Sequence, residues 1–187
     1  MKLILAITGA SGVIYGIKLL EELKNRNVDV ILIISEAGKK VVELETDYSI
    51  DKLYALSSEH YSEFDYKAPV LSGSYKIDGM VICPCSMKTA SAIANGYSAN
   101  AISRAAECCL KEGKPLIIVF RETPLSLIHL RNLTQLKEAG VCIMPAAPGF
   151  YHKPKSVDDL INFIVGRILD QLSIDNNLYT RWGVKSD

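Results

Sequence analysis

Short, almost uninterrupted apolar runs alternate with longer stretches that are apolar at every third or fourth position, and this alternation continues along the chain. Lys2–Ile7 is a run of the first kind, as expected of a strand buried on both faces. Val13–Lys24 is of the second kind, with Ile14, Ile17, Leu20 and Leu23 at helical spacing. Val28–Ile34 predicts a second strand, rich in β-branched residues, and Ser35 is placed to cap a helix through Glu43. Met80–Cys83 predicts a third strand stopped by Pro84. Ser86 then caps a helix to about Ala94, Gly96 breaks it, and a further helix runs from about Asn100 to Lys111. Pro115–Phe120 predicts a fourth strand, Leu127–Ala139 a helix closed by Gly140, and Val141–Met144 a fifth strand. Ser156 starts a long amphipathic helix over Val157–Leu172. The polar and aromatic stretch Leu53–Ser74, with Pro69, Ser72, Gly73 and Ser74, reads as irregular surface with one short helix.

Strands that alternate with helices predict an α/β fold: a Rossmann-like, three-layer, doubly wound parallel sheet, here as one domain over residues 1–187. In such folds ligands sit beyond the carboxyl ends of the strands. The loops expected there are Thr8–Gly12, Ser35–Glu36, Pro84–Thr89 and Arg121–Ser126, with Pro145–Tyr151 as a fifth.

Charge narrows the partners. Lys plus Arg equals Asp plus Glu at 21 each, so no net charge favours nucleic acid or an anionic membrane. The chain shows no signal-peptide pattern and no run near the ~20 apolar residues of a membrane span. Five cysteines, an odd number in apolar surroundings, suggest unpaired thiols in a reducing cytoplasm.

Six groups of residues carry candidate chemistry. Thr8-Gly9-Ala10-Ser11-Gly12 follows a strand and opens a helix, which aims backbone N–H groups at an anion, most often a phosphate. Its spacing is not the G-x-G-x-x-G of dinucleotide enzymes, and Ser35 stands where a ribose-binding acid belongs, which argues against NAD. In Cys83-Pro84-Cys85-Ser86-Met87-Lys88-Thr89, Ser86 and Thr89 can offer hydroxyls and helix-start N–H groups to a ring edge or a phosphate. The two thiols read as buried rather than as metal ligands, since no second Cys/His pair has ligand spacing. Arg121-Glu122 closes a buried strand: Arg can grip a phosphate bidentately and Glu can exchange a proton beside it, although a salt bridge at a sheet rim needs the same pair. Arg104, Glu107 and Lys111 share one helix face, which by spacing alone is a solvated stripe. Tyr151 in Gly149–Pro154 and Arg167 in the last helix can each meet a ligand or simply pack. The single Trp, Trp182, lies in a polar tail and is expected to pack on this subunit or a neighbouring one, where its π-face would suit a cation.

In this order the motifs resemble the flavin prenyltransferase family, the UbiX-like proteins formerly described as decarboxylase subunits. The resemblance spans nearly the whole chain. It is carried by TGASGVIYG (Thr8–Gly16), ISEAGKK and LETD (Ile34–Lys40, Leu44–Asp47), GMVICPCSMKTASAIA (Gly79–Ala94), SRAAECCLKEGKPLIIVFRETPLSLIHL (Ser103–Leu130), MPAAPGFYHKP (Met144–Pro154), Arg167 and RWG (Arg181–Gly183). It implies transfer of a dimethylallyl group from dimethylallyl phosphate to N5 and C6 of reduced FMN, without a metal. The prenylated FMN then serves a separate UbiD-like decarboxylase. It also implies a closed homo-oligomer, a dodecamer with sites between subunits, and a tail from about residue 174 that packs on a neighbour.

By the same resemblance, FMN contacts fall to Gly9, Ala10, Ser11, Ser35, Ser86, Met87, Lys88, Thr89 and Arg121. Donor contacts fall to Tyr151, Arg167, Lys111, Arg121, Glu122 and Trp182, with Arg104 close by. Catalytic roles fall to Glu122 and Lys111, and proton handling to Ser11 and Glu45. Three alternatives are weighed against this reading. An FMN-dependent decarboxylase of cysteine-derived substrates would need a histidine shortly after the second strand, and there is none between Ile34 and Thr46. A dehydrogenase lacks its ribose-binding acid. A non-catalytic FMN-binding decarboxylase subunit would leave Arg121, Glu122, Lys111, Tyr151 and Arg167 without work.

Overall fold

The computed structural model describes residues 1–183; positions 184–187 of the expected tail lie outside the described residues. The chain divides into two compact units, Met1–Pro145 and Ala146–Asp187. In the first, the strands β1 (Lys2–Ile7), β2 (Asp29–Ile34), β3 (Glu59–Ser62), β4 (Gly79–Cys85), β5 (Leu116–Phe120) and β6 (Cys142–Pro145) form one sheet in the order β3-β2-β1-β4-β5-β6. Every pairing is parallel. The helices of this unit are α1 (Val13–Asn25), α2 (Glu36–Glu45), α3 (Ile50–Leu56), α4 (Met87–Ala94), α5 (Ala101–Lys111) and α6 (Leu127–Glu138).

Side chains alternate across the sheet. Ile4, Ala6, Ile31, Ile33, Met80, Ile82 and Ile118 face one layer, where they pack with Ala90, Ile93, Ala105, Ala106 and Leu136 of α4, α5 and α6. Leu3, Leu5 and Ile7 point the other way, beneath α1. That helix comes close because Gly16 lacks a Cβ: one added there would lie 2.1 Å from the Cys83 carbonyl oxygen. The two helix layers and the sheet between them match the expected doubly wound arrangement.

Three departures from the sequence reading have physical causes. The stretch Leu53–Ser74, expected to be irregular with one short helix, holds the end of α3 as that helix and, unexpectedly, the edge strand β3, whose residues Glu-His-Tyr-Ser are polar because the strand has one neighbour and is half exposed. Strand β4 runs on through Pro84 to Cys85, with a shift of register against β5 between Ile82 and Cys85; the Cys83–Pro84 peptide is cis. Helix α2 extends to Glu45, which matters below.

The second unit contains α7 (Val157–Gln171), whose N-terminus is closed by a reciprocal Ser156–Asp159 capping box. Asn176 Nδ2 donates to the Gly166 carbonyl at 3.2 Å and to Asp170 Oδ1 at 2.9 Å, which folds the chain after α7 back along the helix. Among the described residues no helix is long and apolar enough to cross a membrane.

Candidate active site

Strand order reverses between β1 and β4, and the crevice beyond their carboxyl ends is where a doubly wound sheet offers a binding site. One hydroxyl stitches its two walls together. Buried Thr8 donates through Oγ1 to the Pro84 carbonyl at 2.8 Å and accepts from the Ser86 N–H at 2.8 Å. The Thr8 N–H adds a second bond to the Pro84 carbonyl, at 3.1 Å.

Ser86 caps α4, and its Oγ lies 3.1 Å from Thr89 Oγ1. The N–H groups of Met87 and Lys88 belong to the first turn of α4 and have no intrahelical acceptor. With the exposed Lys88 ammonium they form a donor set suited to a phosphate. Ser35 caps α2 by accepting from the Gly38 N–H at 3.0 Å, and Gly38 is tight for the same reason as Gly16: an added Cβ would stand 2.6 Å from the Ile7 oxygen.

The first glycine turn differs in one respect from a plain anion loop. Gly12 takes a left-handed conformation, φ 93°, and has no side chain to cap α1. The exposed carboxylate of Glu45, at the end of α2, supplies the cap instead. Its Oε2 accepts from the Gly12 N–H at 2.8 Å and from the Val13 N–H at 3.4 Å. The acceptor at the positive end of α1 is therefore a residue of the chain itself, and Glu45 lies against the backbone that directly follows Ser11.

Arg121 leaves the end of β5 and reaches back across the crevice mouth, where its Nε donates to the Ser11 carbonyl at 3.2 Å. Glu122 accepts from the Thr123 N–H at 3.1 Å. Ser11, Ser35, Ser86, Thr89, Glu45, Arg121 and Glu122 thus all belong to loops and helix ends on the carboxyl side of the sheet.

Arg104 and Lys111 do not join them within this unit. Arg104 Nε donates to the Leu71 carbonyl at 3.3 Å, and its Nη1 meets Glu107 at 2.8 Å, the solvated pairing its helical spacing suggests. The carboxyl of Glu107 is held below its ordinary range, chiefly by the Ser98 hydroxyl and then by Arg104. Lys111 ends α5, an 11-residue helix that leads down to the start of β5, and its Nζ lies 3.7 Å from Glu112. That is the amino side of the sheet, opposite Arg121.

Four of the five cysteines are buried thiols, and Cys142 is half-buried. None is in a disulfide. Burial raises Cys83 and Cys85 far above the ordinary thiol range, and Cys109 to about 12, so none of these three is a thiolate nucleophile near neutral pH. Among the described residues, no group of three or more His, Cys, Asp or Glu is arranged to hold a metal.

The second unit gathers the other candidates by itself. Tyr151 stands edge-on to Trp182, with ring centroids 5.1 Å apart, and edge-on to Phe163 at 5.8 Å. Phe163 also carries His152 stacked on its face at 5.3 Å and Tyr179 edge-on at 5.0 Å. Tyr179 lies 3.2 Å from Arg167 Nη1. Tyr151, Arg167 and Trp182 therefore share one aromatic and cationic cluster.

The sequence reading left Thr8 without a role and did not single out Phe163, Asp170 or Tyr179. For Asp170 a signal was present, since it lies one helical turn after Arg167.

The chain is similar to known proteins over nearly its whole length. The Flavoprotein family profile matches residues 1–169. The flavin prenyltransferase UbiX of Methanocaldococcus jannaschii is 52% identical over 183 residues, which cover 98% of this chain and 99% of that one. Crystallised AnUbiX (PadA1), in complex with FMN and dimethylallyl pyrophosphate, superposes with a TM-score of 0.96 at 43% identity, covering 99% of this chain and 98% of the other. A dodecameric FMN-dependent UbiX-like decarboxylase from Escherichia coli O157:H7 superposes equally well, with a TM-score of 0.96 at 42% identity, covering 98% of this chain and 100% of the other. A chain this similar over its full length, with glycine turn, Arg-Glu strand end and aromatic cluster in place, belongs to the Flavoprotein family and, within it, to the flavin prenyltransferases, which are transferase enzymes.

Proposed function

We propose that this chain transfers a dimethylallyl group from dimethylallyl phosphate to reduced FMN, with new bonds at N5 and C6, and that the prenylated FMN is the cofactor of a UbiD-like decarboxylase. The observation that carries this reading is Arg121 lying over the β1–β4 crevice with Glu122 beside it, at the carboxyl edge of a fold whose relatives include an FMN and dimethylallyl pyrophosphate complex. The flavin is held by Gly9, Ala10, Ser11, Ser35, Ser86, Met87, Lys88, Thr89 and Arg121. The first turn of α4 meets its phosphate, and the electron-rich flavin supplies the nucleophile.

The chain's own residues do the rest. A monophosphate leaves slowly unless its growing charge is neutralised. Arg121, Lys111 and Arg167 supply fixed positive charge, and Tyr151 supplies a hydroxyl donor. Trp182 offers its π-face to the allylic cation. Glu122 accepts the proton displaced from N5, and Ser11 and Glu45 manage the one lost from C6. Holding donor and acceptor face to face turns an encounter between two molecules into a reaction within one complex.

Lys111, on the amino side of the sheet, and Arg104 serve the site of a neighbouring copy in a homo-oligomer, a dodecamer like the Escherichia coli relative. We place the enzyme in the cytoplasm, in keeping with five cysteines outside disulfides.

The test is direct. Purified protein is incubated anaerobically with FMN, a reductant and dimethylallyl phosphate, and the released flavin is weighed by mass spectrometry. A gain of one C5 unit is the expected result. Flavin of unchanged mass, together with turnover of a cysteinyl peptide, overturns the reading.

A further inference from the structure

The cluster in the second unit contains a carboxylate that phosphate binding alone would exclude. Asp170 has a side chain only 14% exposed, against 44% for Arg167 and 48% for Arg181. Its two oxygens are saturated with donors. Oδ1 accepts from Arg181 Nη2 at 2.7 Å and from Asn176 Nδ2 at 2.9 Å. Oδ2 accepts from the Tyr179 hydroxyl at 2.6 Å, from Arg181 Nη1 at 3.1 Å and from Arg167 Nη1 at 3.2 Å. Burial alone would raise this carboxyl, but the bonds from Arg181, Tyr179 and Asn176 outweigh burial and keep it below the ordinary range, so it is an anion at working pH.

That anion has three geometric effects. A guanidinium is planar, so fixing Nη1 of Arg167 between Asp170 and Tyr179 also fixes where Nε and Nη2 point. The two-pronged grip on Arg181 anchors the backbone next to Trp182. Through Tyr179 and Phe163 the same carboxylate is linked to the ring of Tyr151. It also has an electrostatic effect: two arginines and one carboxylate leave a net charge of plus one.

We propose that Asp170 is a positioning residue of this donor half-site and that, by holding the charge of the two-arginine pair at plus one, it fits the half-site to a single phosphate group rather than a diphosphate. This rests on the reading of Tyr151, Arg167 and Trp182 as donor-binding groups. A diphosphate carries more negative charge than a monophosphate, so each unit of charge added to or removed from the cluster changes its binding more steeply. For groups this exposed, one unit is worth about a two- to fivefold change in the ratio of the two affinities.

Two variants of the assembled protein test the idea: Asp170→Asn, which keeps the side-chain shape and removes the charge, and Arg181→Gln, which removes a cation and leaves the carboxylate. Calorimetry measures affinities for inorganic phosphate and pyrophosphate, and kcat and KM are measured with dimethylallyl phosphate and dimethylallyl diphosphate. The expected result is a pyrophosphate-to-phosphate affinity ratio raised about two- to fivefold in Asp170→Asn and lowered by a similar factor in Arg181→Gln, with KM for the monophosphate donor rising more than kcat falls. Loss of both affinities in parallel, with an unchanged ratio, would show a merely structural carboxylate and overturn the proposal. If Asp170→Asn fails to assemble, the Arg181→Gln ratio alone decides. Shifted ratios in a protein that prenylates no flavin would sink the proposed function and leave the anion selectivity standing; prenylation with unshifted ratios would do the reverse.

Discussion

At the scale of single residues, Glu122 separates catalysis from architecture. Its carboxylate accepts a hydrogen bond from the neighbouring Thr123 N–H, a role that a glutamine oxygen can fill equally well. Glu122→Gln should therefore keep the loop and the flavin while losing the proposed proton acceptor. Single-turnover formation of prenylated flavin should fall at least about a hundredfold, the lower end of what a positioned acid or base contributes. Flavin binding, read by absorbance, should be unchanged. A variant that retains more than half of the wild-type rate removes Glu122 from the proton path. Glu45 shows where residue-level reading of a sequence stops. The LETD motif marked it as special, but nothing in the spacing of two distant segments could tell that its carboxylate would cap α1 in place of a side chain on Gly12. Asp170 was hidden in a similar way, because an acid one turn from an arginine is ordinary on helix surfaces, and only the returning chain with Asn176, Tyr179 and Arg181 makes it exceptional.

At the scale of elements, legibility followed burial. Strands β1, β2, β4 and β5 are central and, apart from Lys2 and Asp29 at the first positions of β1 and β2, apolar, so composition alone announces them. The edge strand β3 has no such signature. It shows a half-exposed alternation four residues long, within a stretch that also holds α3, and this is why a polar region concealed regular structure. The crevice depends on how closely α1 can lie over the end of β4, and Gly16 sets that distance. In an open helix Gly→Ala gains about 1 kcal/mol. Here the new methyl would lie 2.1 Å from a backbone oxygen, which cannot rotate away, and overpacking of this kind typically costs about 1–3 kcal/mol or more. Gly16→Ala should lower the thermal midpoint by several degrees and weaken flavin binding together with it, as measured by calorimetry and flavin titration. An unchanged midpoint would mean that α1 has slack the structure does not show.

At the scale of the whole molecule, the surface is unusual in its exposed apolar side chains. On α6, Leu127 is 61% exposed, Ile128 68% and Leu130 47%, grouped within one turn. Exposed apolar side chains gathered on one turn suit a contact surface. It fits a chain whose Escherichia coli relative is dodecameric and whose Lys111 stands on the side of the sheet away from Arg121. Ile128→Asp places a charge in that patch without touching the sheet core. Light scattering after size exclusion should then show a smaller assembly. Prenylation should fall with it if, as proposed, Lys111 serves the site of a neighbouring copy. A full-sized assembly carrying the aspartate would move the contact elsewhere.

The Thr8 hydroxyl, which joins the loops after β1 and β4, also bears on how fast and how cheaply the crevice fills. Walls that share a pin cannot gape independently. An arriving flavin finds its berth already in shape and spends little of its binding free energy on ordering the protein. Uptake should therefore proceed in one kinetic phase, and cutting the pin with Thr8→Val should slow it into two.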